Sequence, residues 1–166
     1  DGGGVLPDIE IEETKMATIT DAVVKTDAIF NFATQWYYKN PTVSGIPTIS
    51  DADFIAFKTF LKQEKISLDT ETNKALKNVL ETAKKEKIDT QITNEYKQLE
   101  LAIEKNQEME LDKNKNQIKK LIQEDLITRY QYREGLYQFY TKENLEIEKA
   151  IALLNNQTQY KSILKK

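Results

Sequence analysis

The chain has 166 residues, enough for one domain or two small ones, and 31% of them are charged. Its formal net charge of −3 argues against general nucleic-acid binding, which requires a concentrated basic surface. Cysteine and histidine are absent, which excludes Ser-His-Asp triads, Cys-His pairs and zinc sites built from thiolates or imidazoles.

The first predicted element is a short strand in the opening stretch DGGGVLPDIEIEE. Ile9 and Ile11 alternate with acidic residues at the two-residue period of a half-buried strand, and Pro7 favours extended backbone at Leu6. A strand of about five residues is unstable without a partner. Because no second strand is apparent downstream, we expect its partners to lie in an upstream portion of the protein.

Helical periodicity accounts for the rest of the chain. Four helices are predicted before residue 113, each opened by a residue that can cap the first turn: Thr20, Ser50, Asp69 or Thr70, and Asp89 or Thr90. The first of these helices extends to about Lys39. In the second, Asp53 stands three residues after Ser50 and forms an acidic version of the capping box.

The second half of the chain contains the clearest helical segment, over residues 116–140. The apolar stripe lapses over residues 113–116, so residues 89–140 form either one long helix or two, and we favour two with a turn near residues 106–112. Residues 143–154 and a final turn near Tyr160 are also helical in pattern. The predicted fold is all-α: an irregular bundle of about six helices preceded by one short orphan strand.

The stretch RYQYREGLYQFY, residues 129–140, mixes aromatic and charged side chains. Gly135 inside a helix costs about 1 kcal/mol relative to alanine, which predicts close packing there. Tyr130 and Tyr137 share the apolar stripe and are predicted core residues, whereas Tyr132 and Phe139 point away and are candidate interface residues. The alternative is an ordinary helix core whose tyrosine hydroxyls reach polar partners.

The sequence offers no pattern that predicts catalysis. None of the four serines lies in a G-x-S-x-G motif, and each has a local explanation as a loop, cap or surface residue: Ser44, Ser50, Ser67 and Ser162. Acidic pairs such as Glu108 with Glu110 lie on different faces of a helix, a poor arrangement for a shared metal or proton. We therefore predict no catalytic residue, no metal site and no cofactor.

The opening residues carry a family resemblance. The stretch GGGVLPD resembles the G-G-G-(I/V)-x-P-D segment near the end of the catalytic domain in C-terminal processing peptidases, also called tail-specific proteases. Downstream segments such as ITRYQYREGLYQFY are similar to the helical C-terminal extension of bacterial homologues. The residues that match the opening motif are expected to have a structural role: Gly2, Gly3, Gly4, Pro7 and Asp8.

The resemblance implies two parts, with residues 1–15 as the end of an upstream catalytic domain and residues 16–166 as a helical C-terminal domain. The family cleaves peptide bonds near protein C-termini with a serine nucleophile and a neutral lysine as general base, and a PDZ domain engages the substrate tail. No segment here matches the serine or lysine motif. The resemblance therefore implies an inactive module that serves dimerisation, substrate access or positioning of the protease domain.

The partners implied by the resemblance are the upstream protease and PDZ domains of the same chain, the protein substrates of the parent and a second copy of the chain. Nucleic acid is not among them. The implied location is the periplasm or cell envelope of a bacterium. The alternative function is a helical protein-binding or scaffold module unrelated to proteolysis, in which the glycine run is a linker.

Overall fold

The computed structural model describes residue 4, residues 7–11 and residues 15–164. Within those residues the chain forms eight helices and no strand, which confirms the all-α prediction. The helices are α1 Thr18–Val24, α2 Ala28–Lys39, α3 Asp51–Gln63, α4 Glu71–Glu86, α5 Thr93–Lys113, α6 Lys115–Glu143, α7 Leu145–Asn155 and α8 Gln157–Leu164.

The predicted orphan strand is not formed over residues 8–11, which are bent or irregular. Ile9 and Ile11 are only half-buried. The alternating pattern alone cannot hold a strand, because the backbone groups of an isolated strand lack ladder partners. Glu12, the last residue of the predicted strand, lies outside the described residues.

The predicted helix from Thr20 to Lys39 is divided into α1 and α2, and this is one reason for eight helices rather than about six. Thr26 lies between the two helices, and its side chain bonds to the end of α1 and to the start of α2. Its hydroxyl donates to the Val23 carbonyl at 2.7 Å and accepts from the Ala28 amide at 3.2 Å. One side chain thus satisfies a terminal carbonyl of α1 and a terminal amide of α2.

Helix α3 begins as predicted. The Ser50 hydroxyl accepts from the Asp53 amide at 3.1 Å, and the Asp53 carboxylate accepts from the Ser50 amide at 2.9 Å, which completes the capping box. The second carboxylate oxygen accepts from the Trp36 indole nitrogen at 2.9 Å. Asp53 therefore fixes the start of α3 and also joins α3 to α2.

The hydrophobic core lies between α1, α2, α3, the end of α5 and the first part of α6. At its centre the fully buried Phe57 contacts Phe32 edge-to-face, with ring centroids 5.3 Å apart. Ile118, Ile122 and Leu126 of α6 are completely buried against the same cluster. We call these elements, with α6 counted only over residues 115–131, the bundle.

Residues 89–140 are not one continuous helix: α5 and α6 are separate, as predicted, but they meet at Asn114 rather than within residues 106–112, and the backbone of α6 has a second, non-helical break at Tyr132. The Asn114 side chain donates to the Glu110 carbonyl at 2.8 Å and so ends α5. Helix α5 starts at Thr93, later than the predicted Asp89 or Thr90. No helix in the described part of the chain combines the length and apolarity that a bilayer crossing demands.

Candidate functional site

Three of the four serines make local hydrogen bonds in the structure. Beyond the Ser50 cap, the Ser67 hydroxyl bonds Asp69 at 3.1 Å and the Ser162 hydroxyl donates to the Gln159 carbonyl at 2.7 Å. Ser44 lies exposed in the loop between α2 and α3. Among the described residues, no group of three acidic side chains is placed to hold a metal ion.

Three residues of the opening motif lie in the described part of the chain. Gly4, Pro7 and Asp8 are exposed, and a Cβ added at Gly4 would meet nothing within 4 Å. Gly2 and Gly3 lie outside the described residues. The bundle therefore places no steric demand on Gly4, and the structural role predicted for this motif remains a prediction.

The most unusual backbone in the described chain is at Tyr132, inside α6. Tyr132 has φ 58° and ψ −156°, a region that is populated almost only by glycine and that costs other residues on the order of 1–3 kcal/mol. In a straight helix, Lys120 and Phe139 would stand about 28 Å apart. The Lys120 ammonium instead lies 5.8 Å from the centre of the Phe139 ring. Helix α6 therefore reverses at Tyr132, so that residues 133–143 fold back along residues 115–131.

Gly135 is required by this reversal. A Cβ on Gly135 would lie 2.4 Å from the Cβ of Gln131 and 3.1 Å from a methyl carbon of Ile127. The first distance is too short for any real pair of carbon atoms, and a Cβ cannot rotate away. Gly135 thus permits close packing between the two parts of α6. Close packing at this position is what a glycine inside a helical pattern predicted.

The reversal also changes which aromatic residues are buried. Phe139 is only 6% exposed, which corrects the prediction that it lies on the surface, and Tyr137 is 64% exposed, which corrects its assignment to the core. Both corrections have one cause, because the predicted faces assumed a continuous helix through residue 132. Tyr132 is 72% exposed, as predicted, and Tyr130 packs against the core.

A cleft of about 590 Å³ separates the folded-back part of α6 from the junction of α1 and α2, and we call it the hairpin cleft. Its lining residues are Val24, Thr26, Asp27, Ile29, Phe30, Leu121, Glu124, Asp125, Thr128, Arg129, Leu136 and Tyr140. Arg129 closes one side, because its guanidinium lies 4.6 Å from the centre of the Phe30 ring and donates to the Phe30 carbonyl at 3.1 Å. Its Nε pairs with Asp125.

Glu124 and Tyr140 face each other in the hairpin cleft. Partial burial raises the pKa of the Glu124 carboxyl above its ordinary value, although the nearby Lys120 charge and the Tyr140 hydroxyl favour the carboxylate. Burial and then the Glu124 charge raise the pKa of the Tyr140 phenol. The Glu124–Tyr140 contact therefore links the two parts of α6 at one end of the fold-back.

An aromatic cluster holds the first part of α6 to the end of α2. The Tyr130 ring lies 4.8 Å from Tyr37 and 6.4 Å from Trp36, between ring centroids, and its hydroxyl donates to the Asn40 carbonyl. The Tyr130 ring packs against the core while its hydroxyl has a polar partner. This matches the alternative prediction for residues 129–140, an ordinary helix core whose tyrosine hydroxyls reach polar partners. Tyr130 therefore holds residues 115–131 in place, while Tyr132 begins the reversal.

The Gln117 side chain of α6 holds the segment that leads into α1. The Gln117 amide oxygen accepts from the Ala17 amide at 3.1 Å, and its nitrogen donates to the Lys15 carbonyl at 3.3 Å. These bonds span about a hundred residues of sequence. No local pattern marks Gln117 in advance, because a surface glutamine in a helix has no distinctive signal.

Helices α7 and α8 have no buried residue among those described, in contrast to the helices of the bundle. Four of their large apolar side chains are exposed: Leu145 by 43%, Ile151 by 52%, Leu154 by 55% and Leu164 by 67%. Helix α7 packs mainly on α6 and α8. This C-terminal segment therefore presents apolar surface that the bundle does not cover.

Comparison with known protein families gives a match that covers most of the helical part of the chain. The sequence matches the family described as "Probable PDZ-protease, C-terminal helical domain" over residues 19–154, which is well over half of the chain. Neither the search of curated proteins nor the search of solved structures returned a match. The matched residues run from α1 to the end of α7 and include the bundle, Gln117 and the reversal in α6. The chain belongs to the family of C-terminal helical domains of probable PDZ-proteases.

Proposed function

We propose that this chain is the non-catalytic C-terminal module of a bacterial C-terminal processing serine endopeptidase, and that it positions the protease domain. The family match supports a helical domain associated with a protease. The stretch GGGVLPD supports the finer assignment, because it resembles the end of the catalytic domain in the C-terminal processing peptidases. The missing serine and lysine motifs are consistent with a module that has no catalytic role.

The observation that carries a positioning role is the Gln117 contact. In the proposed arrangement, residues 1–15 complete the catalytic domain and the helical module begins at residue 16. The backbone at Lys15 and Ala17 is held by both ends of one amide side chain on α6. Two bonds to residues that lie two positions apart would hold the direction of the chain as well as its position, and this would restrict the orientation of a domain attached at residue 15.

The parent protein would work in the periplasm or cell envelope on protein substrates whose tails are engaged by its PDZ domain. The protease and PDZ domains of the same chain are then the first partners of this module. Positioning would matter most for long substrates, because a protein tail must reach the catalytic site while the rest of the substrate avoids the helices. A short peptide meets no such obstacle.

The test uses the complete parent protease with Gln117→Ala and, as a matched control, Gln138→Ala at an exposed position of α6. Gln117→Ala is expected to lower the kcat/KM for a folded protein with a cleavable tail several-fold, while the kcat/KM for a short tail peptide stays unchanged. Gln138→Ala should change neither. Equal rates for wild type and Gln117→Ala on the protein substrate would contradict the positioning role.

The absence of catalysis is tested on the chain of 166 residues alone. Incubated with unstructured proteins and with C-terminal tail peptides, it is expected to produce no cleavage. Hydrolysis that disappears when one of its own serines is replaced by alanine would overturn the proposal. A helical scaffold unrelated to proteolysis would also be inactive, so the parent-protease experiment separates the two functions.

A further inference from the structure

We propose that α6 opens at Tyr132 and that two copies of the chain exchange residues 133–164, which gives a domain-swapped dimer. The partner is a second copy of this chain, and the surface it uses is the one that residues 133–143 cover in the closed monomer. The exchange needs no protease domain and would occur in the isolated chain.

The first argument is the strain at the hinge. The closed form holds Tyr132 at φ 58° and ψ −156°, where a Cβ is disfavoured. In the open form Tyr132 would adopt ordinary helical angles, and α6 would be a continuous helix of 29 residues, about 43 Å long. Short, strained hinges of this kind favour domain swapping.

The second argument is the local sequence. Residues 129–134 read RYQYRE, with no glycine, proline or asparagine that would end a helix or stabilise a turn. Arginine, glutamine and glutamate are good helix formers, and tyrosine is a moderate one. The local preference of the hinge is therefore for the open form, and the closed form depends on contacts made elsewhere.

The third argument is what those contacts are. The Phe139 ring, Gly135 and the Tyr140 hydroxyl of the folded-back part pack against Lys120, Ile127, Gln131 and Glu124. In an opened monomer Phe139 would lose its cover and face water. The same segment of a second copy can restore every one of these contacts, because the two chains are identical and a twofold arrangement closes on itself.

The remainder of the exchanged segment offers little resistance to the movement. Neither α7 nor α8 has a buried residue, and α7 packs mainly on α6 and α8 rather than on the other helices of the bundle. Opening at Tyr132 therefore uncovers mainly the area that residues 133–143 cover. Exchange replaces that area in both chains and removes the strain at two hinges for each dimer formed.

The decisive experiment compares Tyr132→Gly with Tyr132→Ala, two variants that differ by one methyl group. Glycine accepts the closed backbone and is a poor helix former, so Tyr132→Gly is expected to weaken dimerisation at least about tenfold. Alanine keeps the strain and is the best helix former, so Tyr132→Ala is expected to dimerise as well as wild type or better. Sedimentation over a range of high concentrations, after long incubation, measures the dissociation constants.

A conventional interface that uses the exposed Tyr132 ring predicts a different result, since both variants remove the ring. Equal weakening by glycine and alanine would overturn the swap. Wild-type chain that stays monomeric at every concentration would also overturn it.

Distance measurements separate exchange from simple association. The chain has no cysteine, so spin labels can be attached to Asn116→Cys and Lys142→Cys, two exposed positions that lie one helical turn beyond the Lys120–Phe139 contact. A doubly labelled monomer gives the short distance of the closed form. A dimer of one chain labelled at 116 and another at 142 is expected to give that same short distance between chains. A dimer without it would refute the exchange.

Discussion

The bundle and the C-terminal helices are built from similar residues but are held in different ways. In the bundle, Val23, Phe57 and Ile122 are completely buried, whereas α7 and α8 contain no buried residue at all among those described. Burial of large apolar side chains is the main favourable term in folding. The stability of the chain therefore resides in the bundle, and residues 133–164 depend on it.

The polar contacts divide in the same way. Several hydrogen bonds and ion pairs of the bundle join distant parts of the sequence, as in Trp36 with Asp53, or Lys115 and Lys119 with Asp51. In α7 and α8 the side-chain bonds stay within three residues, as between Asn144 and the Ile147 amide. Local bonds support a helix but do not fix its place, which leaves the C-terminal helices free to dock elsewhere.

The largest expected effect compares one isoleucine from each region. Ile122→Ala removes a side chain that is 0% exposed and should cost about 3–4 kcal/mol in the free energy of unfolding. Ile151→Ala in α7, where the side chain is 52% exposed, should cost about 0.5 kcal/mol. Chemical denaturation of both variants measures the difference. Comparable losses would mean that α7 belongs to the cooperative core.

The next comparison is between two tyrosines on either side of the reversal. Tyr130→Ala removes the contacts with Trp36 and Tyr37 and should cost about 3 kcal/mol. Tyr132→Ala removes an exposed ring without changing the backbone strain and should stay within about 0.5 kcal/mol. Denaturation and sedimentation of each variant test this. Equal, small losses in both would show that Tyr130 is not a core residue.

Local chemistry explains which features the sequence could predict. The capping box of Ser50 and Asp53 depends on residues three positions apart, so its signal lies entirely in the local sequence, and it is formed as predicted. The all-α class follows from helical periodicity in the same way. The break at Thr26 was missed because a threonine that serves two helix ends has no pattern distinct from a threonine within one helix.

The reversal at Tyr132 could not be predicted, because nothing in RYQYRE marks a turn. Phe139 and Tyr137 were then placed on the wrong faces, since a helical stripe keeps its phase only while the helix continues. Gly135 was the one available signal. Gly135 predicted close packing, but not which segment would pack against it. The neighbours are Gln131 and Ile127, from the first part of α6, and this depends on the tertiary fold.

Removing a helix cap should have a smaller effect on the free energy of unfolding, and the effect should differ between the bundle and α7. Ser50→Ala should lower the free energy of global unfolding by about 1 kcal/mol, because α3 is part of the bundle. Asn144→Ala removes the cap of α7 and should leave global stability nearly unchanged while it speeds amide exchange within α7 alone. Denaturation and hydrogen exchange of both variants provide the test. A global loss for Asn144→Ala would argue that α7 unfolds together with the bundle.

The smallest effects are two opposite pH dependences of stability. At Asp53, partial burial raises the pKa, but hydrogen bonds from the Ser50 hydroxyl, the Ser50 amide and the Trp36 indole outweigh it, so the pKa lies below the ordinary value. Its contribution to stability is complete above the pKa of the unfolded chain and is lost as the pH falls below about 4. Asp53→Asn should therefore flatten the acid limb of the stability profile.

Glu124 has the opposite sign, because burial in the hairpin cleft raises its pKa in the folded chain. Between the unfolded and folded pKa values the folded chain holds more protons, so stability declines as the pH rises above about 4.5. Glu124→Gln should match wild type in acid and exceed it at pH 7 by about 0.5 kcal/mol, a modest gain since the group is partly solvated. Urea denaturation from pH 3 to pH 8 measures both variants. A Glu124→Gln chain that is less stable than wild type at pH 7 would mean that the carboxylate, through Lys120 and Tyr140, holds the hairpin closed.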